Sequence, residues 1–172
     1  MDNIKKISIN AIHPKVLNAL HATIAEAKAR KMLVGLFCGL RTAEESDHLY
    51  QLGRTIPNAD GIITNAKAWQ SWHNYGLAGD IVFKDEKGRW TWNGMPKCWK
   101  DKNGLWTWNK TISNKWNDLG EIGKIFGLEW GGTFVHMKPD FPHFQMIGKM
   151  KNTGEAKKML FSIGIDKIWE RI

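Results

Sequence analysis

Apolar residues recur at Val16, Leu17, Leu20, Ile24 and Ala27, the spacing of one face of a helix. Pro14 suits the first turn of that helix, and Arg30 and Lys31 suit its end, where cations complement the exposed carbonyls. The period then changes. Met32–Cys38 is an apolar run broken only by one glycine, the pattern of a buried strand. Gly39-Leu40-Arg41-Thr42 turns out of it, and Thr42 with Glu45 predicts a capping box on a helix to about Leu52. Gly53 to Asn65 reads as loop. Ser71–Asp80 then enters Ile81-Val82-Phe83, a second short buried strand. Asn117-Asp118 predicts the start of a helix through Glu121, Ile122 and Ile125, with Gly127 as its C-cap. Trp130-Gly131-Gly132 and Phe134 lead to a further strand beside His143, and Met159, Leu160, Phe161, Ile165, Ile168 and Trp169 predict two short terminal helices. Helices and strands in this order predict an α+β fold, a small mainly antiparallel sheet with flanking helices.

Between the second strand and the third helix the pattern is unusual. Asp85-Glu86-Lys87-Gly88-Arg89-Trp90-Thr91-Trp92-Asn93 recurs as Asp101-Lys102-Asn103-Gly104-Leu105-Trp106-Thr107-Trp108-Asn109. A glycine turn followed by Trp-Thr-Trp predicts an exposed hairpin arm over residues 84–117, the two copies pairing as its strands. Alternation puts Trp90 and Trp92 on one face, and likewise Trp106 and Trp108. That face either packs on the domain or stacks on a ligand. Two copies are too few for a repeat fold.

Composition narrows the class. With 172 residues, 42% hydrophobic and 24% charged, the chain reads as one globular domain, 1–172, with the arm inserted in it. No apolar run approaches the roughly 20 residues that cross a bilayer. Met1–Lys6 lacks the apolar core of a secretion signal. The terminal helices have only a mildly basic polar face, so they are expected to pack on the core and not to insert in a membrane. The net charge is +8, and residues 84–115 hold eight Lys or Arg against three acidic residues. Such a surface favours anionic partners: wall polymers, lipopolysaccharide or nucleic acid. Cys38 and Cys98 form no Cys-x-x-Cys pair, so no cysteine zinc site is expected. Cys38 reads as a buried small hydrophobe, and Cys98, among charges and tryptophans, as exposed.

The candidate chemistry lies at His73 and Asp80, seven positions apart with two glycines between them. Imidazole and carboxylate are both zinc ligands, and a catalytic zinc takes three protein ligands and one open position. A third candidate, His143, stands 63 residues beyond Asp80, with Asp140 three residues before it. On residues alone, His73 could equally be a structural histidine and Asp80 the cap of a turn. His136 rivals His143 on composition only. A nucleic-acid binder would use the charge and tryptophans of the arm but would leave these four residues without a purpose.

The motifs Ser71-x-His73-x-x-Gly76-x-Ala78-x-Asp80, Trp130-Gly131-Gly132 and Asp140-x-Pro142-His143-Phe144 together resemble those of the VanY-type zinc peptidases. These comprise D-alanyl-D-alanine carboxypeptidases and the L-alanyl-D-glutamate endopeptidases of phage lysins. The resemblance runs from about His13 to the C-terminus and is poorest over 84–117. It implies a Hedgehog/DD-peptidase-like fold, one zinc (Zn2+) per chain held by His73, Asp80 and His143, and Asp140 as the catalytic carboxylate. Arg41 would face the substrate from a corner reading Cys-Gly-Leu-Arg-Thr where the family has Ser-Gly-Tyr-Arg-Ser. Arg54, in a Gly-Arg-Thr that the family shares, is a second cleft candidate. Many carboxypeptidases carry Glu-x-x-His; this chain has the Asp-x-x-His of the lysin endopeptidases. The implied function is therefore a zinc-dependent peptidoglycan hydrolase cutting the L-alanyl-D-glutamate bond, a phage endolysin held in the host cytoplasm until released to the wall. A D-alanyl-D-alanine carboxypeptidase and a non-catalytic zinc-containing wall-binding domain are the alternatives. The expected partner is bacterial peptidoglycan, met by a monomer without nucleic acid and without a separate wall-binding domain.

Overall fold

Pro14 opens α1 (Pro14–Ala29), whose buried face is Val16, Ala19, Leu20, Thr23 and Ala27. Thr23 is tolerated there because its hydroxyl donates to the carbonyl of Ala19 at 2.8 Å. Lys31, at φ 63°, ends the helix in the left-handed conformation. The structure, a computed structural model, describes residues 12–110 and 114–172; the N-terminal Met1–Lys6 lies outside the described residues. The remaining elements are β1 (Val34–Cys38), α2 (Ala43–Gln51), β2 (Ala78–Lys84), β3 (Trp90–Thr91), β4 (Cys98–Lys100), β5 (Trp106–Trp108), α3 (Lys115–Ile125), β6 (Glu129–Trp130), β7 (His143–Gln145), α4 (Thr153–Ile163) and α5 (Ile165–Trp169). The fold is α+β, as expected, with small antiparallel pairings and flanking helices.

These elements pack as two compact units interleaved along the chain. Residues 14–37 and 79–146 form the unit that holds most of the main sheet, whose strand order is β1-β2-β7-β6 with β3 also paired to β2. Its core is built on Ile81, Phe83, Trp116, Leu119, Ile122, Trp130 and Phe144. Two glycines of α3 bring that helix close to the sheet. A Cβ on Gly120 would collide with the Trp130 ring, and one on Gly123 with Phe144. α3 starts at Lys115, earlier than the pattern predicts. The side chain of Asn114 accepts from Trp116 N at 2.8 Å and caps the helix there.

The other unit contains His13, Cys38–Ala78 and Ile147–Ile172. The predicted capping box is present: Thr42 Oγ1 accepts from Glu45 N at 3.1 Å, and Glu45 Oε2 accepts from Thr42 N at 2.8 Å. Tyr75 is fully buried, its hydroxyl donating to the carbonyls of Trp69 and Thr153. The terminal helices bury Ala156, Met159 and Ile168, and Trp169 Nε1 donates to the Tyr75 carbonyl at 2.8 Å.

The 84–117 region corrects one expectation. Its two Trp-Thr-Trp copies do not pair with each other. β3 pairs antiparallel with β2, Lys84 opposite Trp90, and β5 pairs antiparallel with β4, Cys98 opposite Trp108. The repeat is thus two successive hairpins with the same turn. Asp85 Oδ1 accepts from the backbone N–H of Lys87 and Arg89 at 2.9 Å, and Asp101 Oδ1 accepts from those of Asn103 and Leu105 at 2.8 and 3.0 Å. Gly88 and Gly104 both take φ 77°, the left-handed residue that closes such a turn. The copies differ in burial. Trp108 is enclosed, its Nε1 donating to the Gly132 carbonyl at 2.8 Å, whereas Trp90 and Trp92 are exposed.

Candidate metal centre

Ser71 starts a single turn of 3-10 helix, Trp72–Tyr75, by accepting from His73 N at 3.4 Å, and Gly76 at φ 66° closes it. This turn fixes the His73 backbone, and its ring is held from the other side. His73 Nδ1 lies 2.6 Å from the carbonyl oxygen of Gly39. A carbonyl only accepts, so Nδ1 carries the proton and Nε2 is the nitrogen able to accept or to ligate. The carbonyl of His73 in turn accepts from Arg41 N at 3.0 Å. Asn74 Nδ2 donates to Arg41 O, Thr42 O and Ser46 Oγ, so the strand-to-helix corner and the histidine turn form one hydrogen-bonded body.

His143 is oriented by different means. Its Nδ1 lies 3.4 Å from Asp80 Oδ1, and its Nε2 lies 3.0 Å from Gln145 Oε1. Gln145 Nε2 donates to Glu129 Oε2 at 2.8 Å, which turns the amide oxygen toward the ring. Glu129 stands opposite Gln145 across the β6–β7 ladder, so strand register holds this chain of groups. His143 thus stands between two acceptors, the Gln145 amide oxygen at Nε2 and the Asp80 carboxylate at Nδ1; a proton held on Nε2 would leave Nδ1 to share a cation with Asp80. The two histidines offer opposite nitrogens, each fixed by an acceptor behind the ring, as metal-binding histidines usually are.

Cys38 lies beside His73. It is buried, its Sγ lies 4.0 Å from His73 Nδ1, and Arg41 Nη2 donates to it at 3.4 Å. Of the three expected ligands, His73 lies beside Cys38, and Asp80 meets His143. Asp140 is exposed on the turn before β7, where its N–H donates to the Gly131 carbonyl at 3.1 Å and its carbonyl accepts from His143 N at 3.2 Å. Arg54 holds its own loop. Nη1 donates to the carbonyls of Tyr50 and Thr64, and Nη2 to Asn65 Oδ1. His136 is exposed.

Neutral imidazoles with defined tautomers and a carboxylate suit zinc, whose sites are built from such nitrogen and oxygen ligands. Residues 64–146, which include His73, Asp80, Asp140 and His143, match the peptidase M15 family model described as D-alanyl-D-alanine carboxypeptidase. The chain is also 34% identical over 136 residues to the peptidoglycan L-alanyl-D-glutamate endopeptidase CwlK of Bacillus subtilis (strain 168), covering 79% of this chain and 74% of that one. The chain belongs to the VanY-like zinc peptidases. The fold of this peptidase is shared with the LdcB LD-carboxypeptidase, whose structure was solved to reveal the molecular basis of its peptidoglycan recognition. That match has a TM-score of 0.52 at 12% identity, and covers 94% of this chain and 69% of the other.

Sequence reasoning missed three groups of the peptidase's centre. Gln145 was within reach, because a polar residue two places after His143 on a strand shares its face. Glu129 needed the strand register, and the Gly39 carbonyl leaves no mark in the sequence.

Proposed function

We propose that this chain is a zinc-dependent peptidoglycan endopeptidase that cleaves the L-alanyl-D-glutamate bond of the stem peptide. The observation that carries the metal reading is a pair of oriented histidines, His73 with Nδ1 at the Gly39 carbonyl, and His143 with Nε2 at the Gln145 amide oxygen and Nδ1 beside Asp80. His73, Asp80 and His143 would hold the zinc. Bound there, zinc supplies Lewis-acid polarisation of the scissile carbonyl and acidification of water. Asp140, exposed and three residues before His143, accepts the proton of the attacking water and returns it to the leaving amine. Arg41 stabilises the developing oxyanion or binds a substrate carboxylate.

The choice of bond rests on Asp140-x-x-His143, the variant seen in lysin endopeptidases, and on the activity named for the Bacillus relative. The same variant supports a phage endolysin role, with release from the host cytoplasm to the wall. Mass spectrometry of purified peptidoglycan fragments after digestion tests the reading: new D-glutamate amino termini are expected. Free D-alanine as the sole product would replace it with a D-alanyl-D-alanine carboxypeptidase, the activity for which the matching family is described. Zinc binding with no cleavage would leave a wall-binding domain.

A further inference from the structure

The sheet face that carries Asp80 continues into an aromatic ledge that neither the metal centre nor the core uses. Along β2, Asp80 and Lys84 are the two partly exposed positions, and residues four apart on a strand share a face. The β2–β3 register sets Trp90 opposite Lys84 and Thr91 opposite Phe83, so Trp90 lies on that same face, and Trp92 follows just beyond β3. Trp90 is clamped. A Cβ on Gly35 of β1 would stand 3.1 Å from its ring, and Lys84 Nζ is 4.5 Å from its ring centroid. Phe37 meets Trp90 and Trp92 edge to face, at centroid distances of 5.4 and 5.3 Å.

These rings are held in place but left uncovered: Phe37 is 42% exposed, Trp90 37% and Trp92 40%. Trp108, the counterpart of Trp92 in the second copy, is 3% exposed, so burial was open to this motif. A cluster of large apolar side chains left in water marks a surface that binds something. Rigid indoles with few rotatable bonds suit a partner with an apolar face and a polar rim. A pyranose ring has that form.

We infer that Phe37, Trp90 and Trp92 bind the N-acetylated amino sugar from which the stem peptide hangs, so that this enzyme recognises a muramyl peptide and not the peptide alone. This rests on the L-alanyl-D-glutamate reading and deepens it. In peptidoglycan that bond is separated from the sugar only by L-alanine and the lactyl ether, about two residue lengths, or roughly 7 Å extended. Lys84, opposite Trp90, is four residues from Asp80, roughly 13 Å along the strand, and the chain runs antiparallel from Trp90 on to Trp92, so the ledge begins within that distance of Asp80. A terminal D-alanyl-D-alanine bond lies three residues farther along the peptide, roughly 10 Å more. With that bond at the metal, the sugar would overshoot the ledge.

The test compares two soluble substrates: a stem peptide carrying N-acetylmuramic acid, and the same peptide with acetyl in place of the sugar. The unmodified enzyme should show the higher kcat/KM on the muramyl peptide. Trp92→Ala and Phe37→Ala should each lose about tenfold on it, the scale of one lost ring contact with its buried area. On the acetyl peptide they should change less than about twofold. Trp92→Phe keeps an aromatic face and should recover most of the difference, which separates stacking from damage to the fold. Equal losses on both substrates, or no preference in the unmodified enzyme, would overturn the ledge and leave the endopeptidase reading intact. If the unmodified enzyme removes terminal D-alanine and leaves the L-alanyl-D-glutamate bond whole in both substrates, the ledge falls together with that reading.

Discussion

Gln145 decides which nitrogen His143 presents. Its amide oxygen faces Nε2 at 3.0 Å, and its own amide is held by Glu129 at 2.8 Å, so the Nδ1 edge of His143 is turned to Asp80. Removing such a partner usually weakens a metal site by about 10- to 100-fold while sparing the ligands themselves. Gln145→Leu should therefore lower zinc affinity by that factor, read by competition with a chelator. The variant is near in volume and sits in a buried position, so the metal-free protein should still melt cooperatively. An unchanged affinity would mean that His143 is not a ligand or is oriented by something else.

The metal reading has a direct consequence for stability. A ligand that binds only the folded chain raises its stability by mass action, about 2.7 kcal/mol at a hundredfold excess over Kd. Purified protein should contain close to one zinc per chain, and a chelator should abolish activity and lower Tm. His143→Ala should lose both the metal and the Tm response to added zinc. If that variant binds a full equivalent, the ligand set is wrong.

Asp140 is assigned a proton and not the metal. Its side chain is exposed, and its backbone is fixed by hydrogen bonds that a substitution leaves in place. Asp140→Asn should keep zinc and Tm and reduce kcat by about a hundredfold or more. Full activity in the asparagine variant would assign the proton transfer to another group.

How far the sequence could be read depended on how local each signal was. The capping box at Thr42 and Glu45 and the buried face of α1 follow from contacts within one turn of helix, and both are present. The left-handed Gly127 after α3 is equally local: Leu128 N returns to the Gly123 carbonyl at 3.1 Å. Strand pairing is not local. Trp-Thr-Trp alternates in the same way in both copies, so alternation alone permits them to pair with each other. The aspartate before each turn settles the matter, because Asp85 and Asp101 each fold the chain back on the strand just before them. The site divides in the same way. His73, Asp80, Asp140 and His143 stand in short motifs, whereas the Gly39 carbonyl and Glu129 act through tertiary placement. Cys38 is buried at the end of an apolar strand, as its composition reads, but its place beside His73 and Arg41 leaves no local mark.

Cys38 sets its sulfur 4.0 Å from His73 Nδ1, which raises the question of whether a thiolate binds the metal. Two observations favour a supporting role. Sγ approaches His73 on the Nδ1 side, at 4.0 Å, the side already taken by the Gly39 carbonyl and not the Nε2 side. Sγ also accepts from Arg41 Nη2 at 3.4 Å, so one of its weak acceptor positions is spent on positioning that guanidinium. Cys38→Ser preserves a small acceptor at this point. It should keep one zinc per chain, with affinity within about tenfold of the parent, and retain activity. Cobalt(II) in place of zinc supplies an independent readout, because a bound thiolate gives an intense near-ultraviolet charge-transfer band that imidazole and carboxylate ligands do not. The cobalt-loaded parent should lack that band, and Cys38→Ser should leave its spectrum unchanged. A band that disappears in the serine variant would make Cys38 a ligand and displace one of His73, Asp80 or His143 from the set.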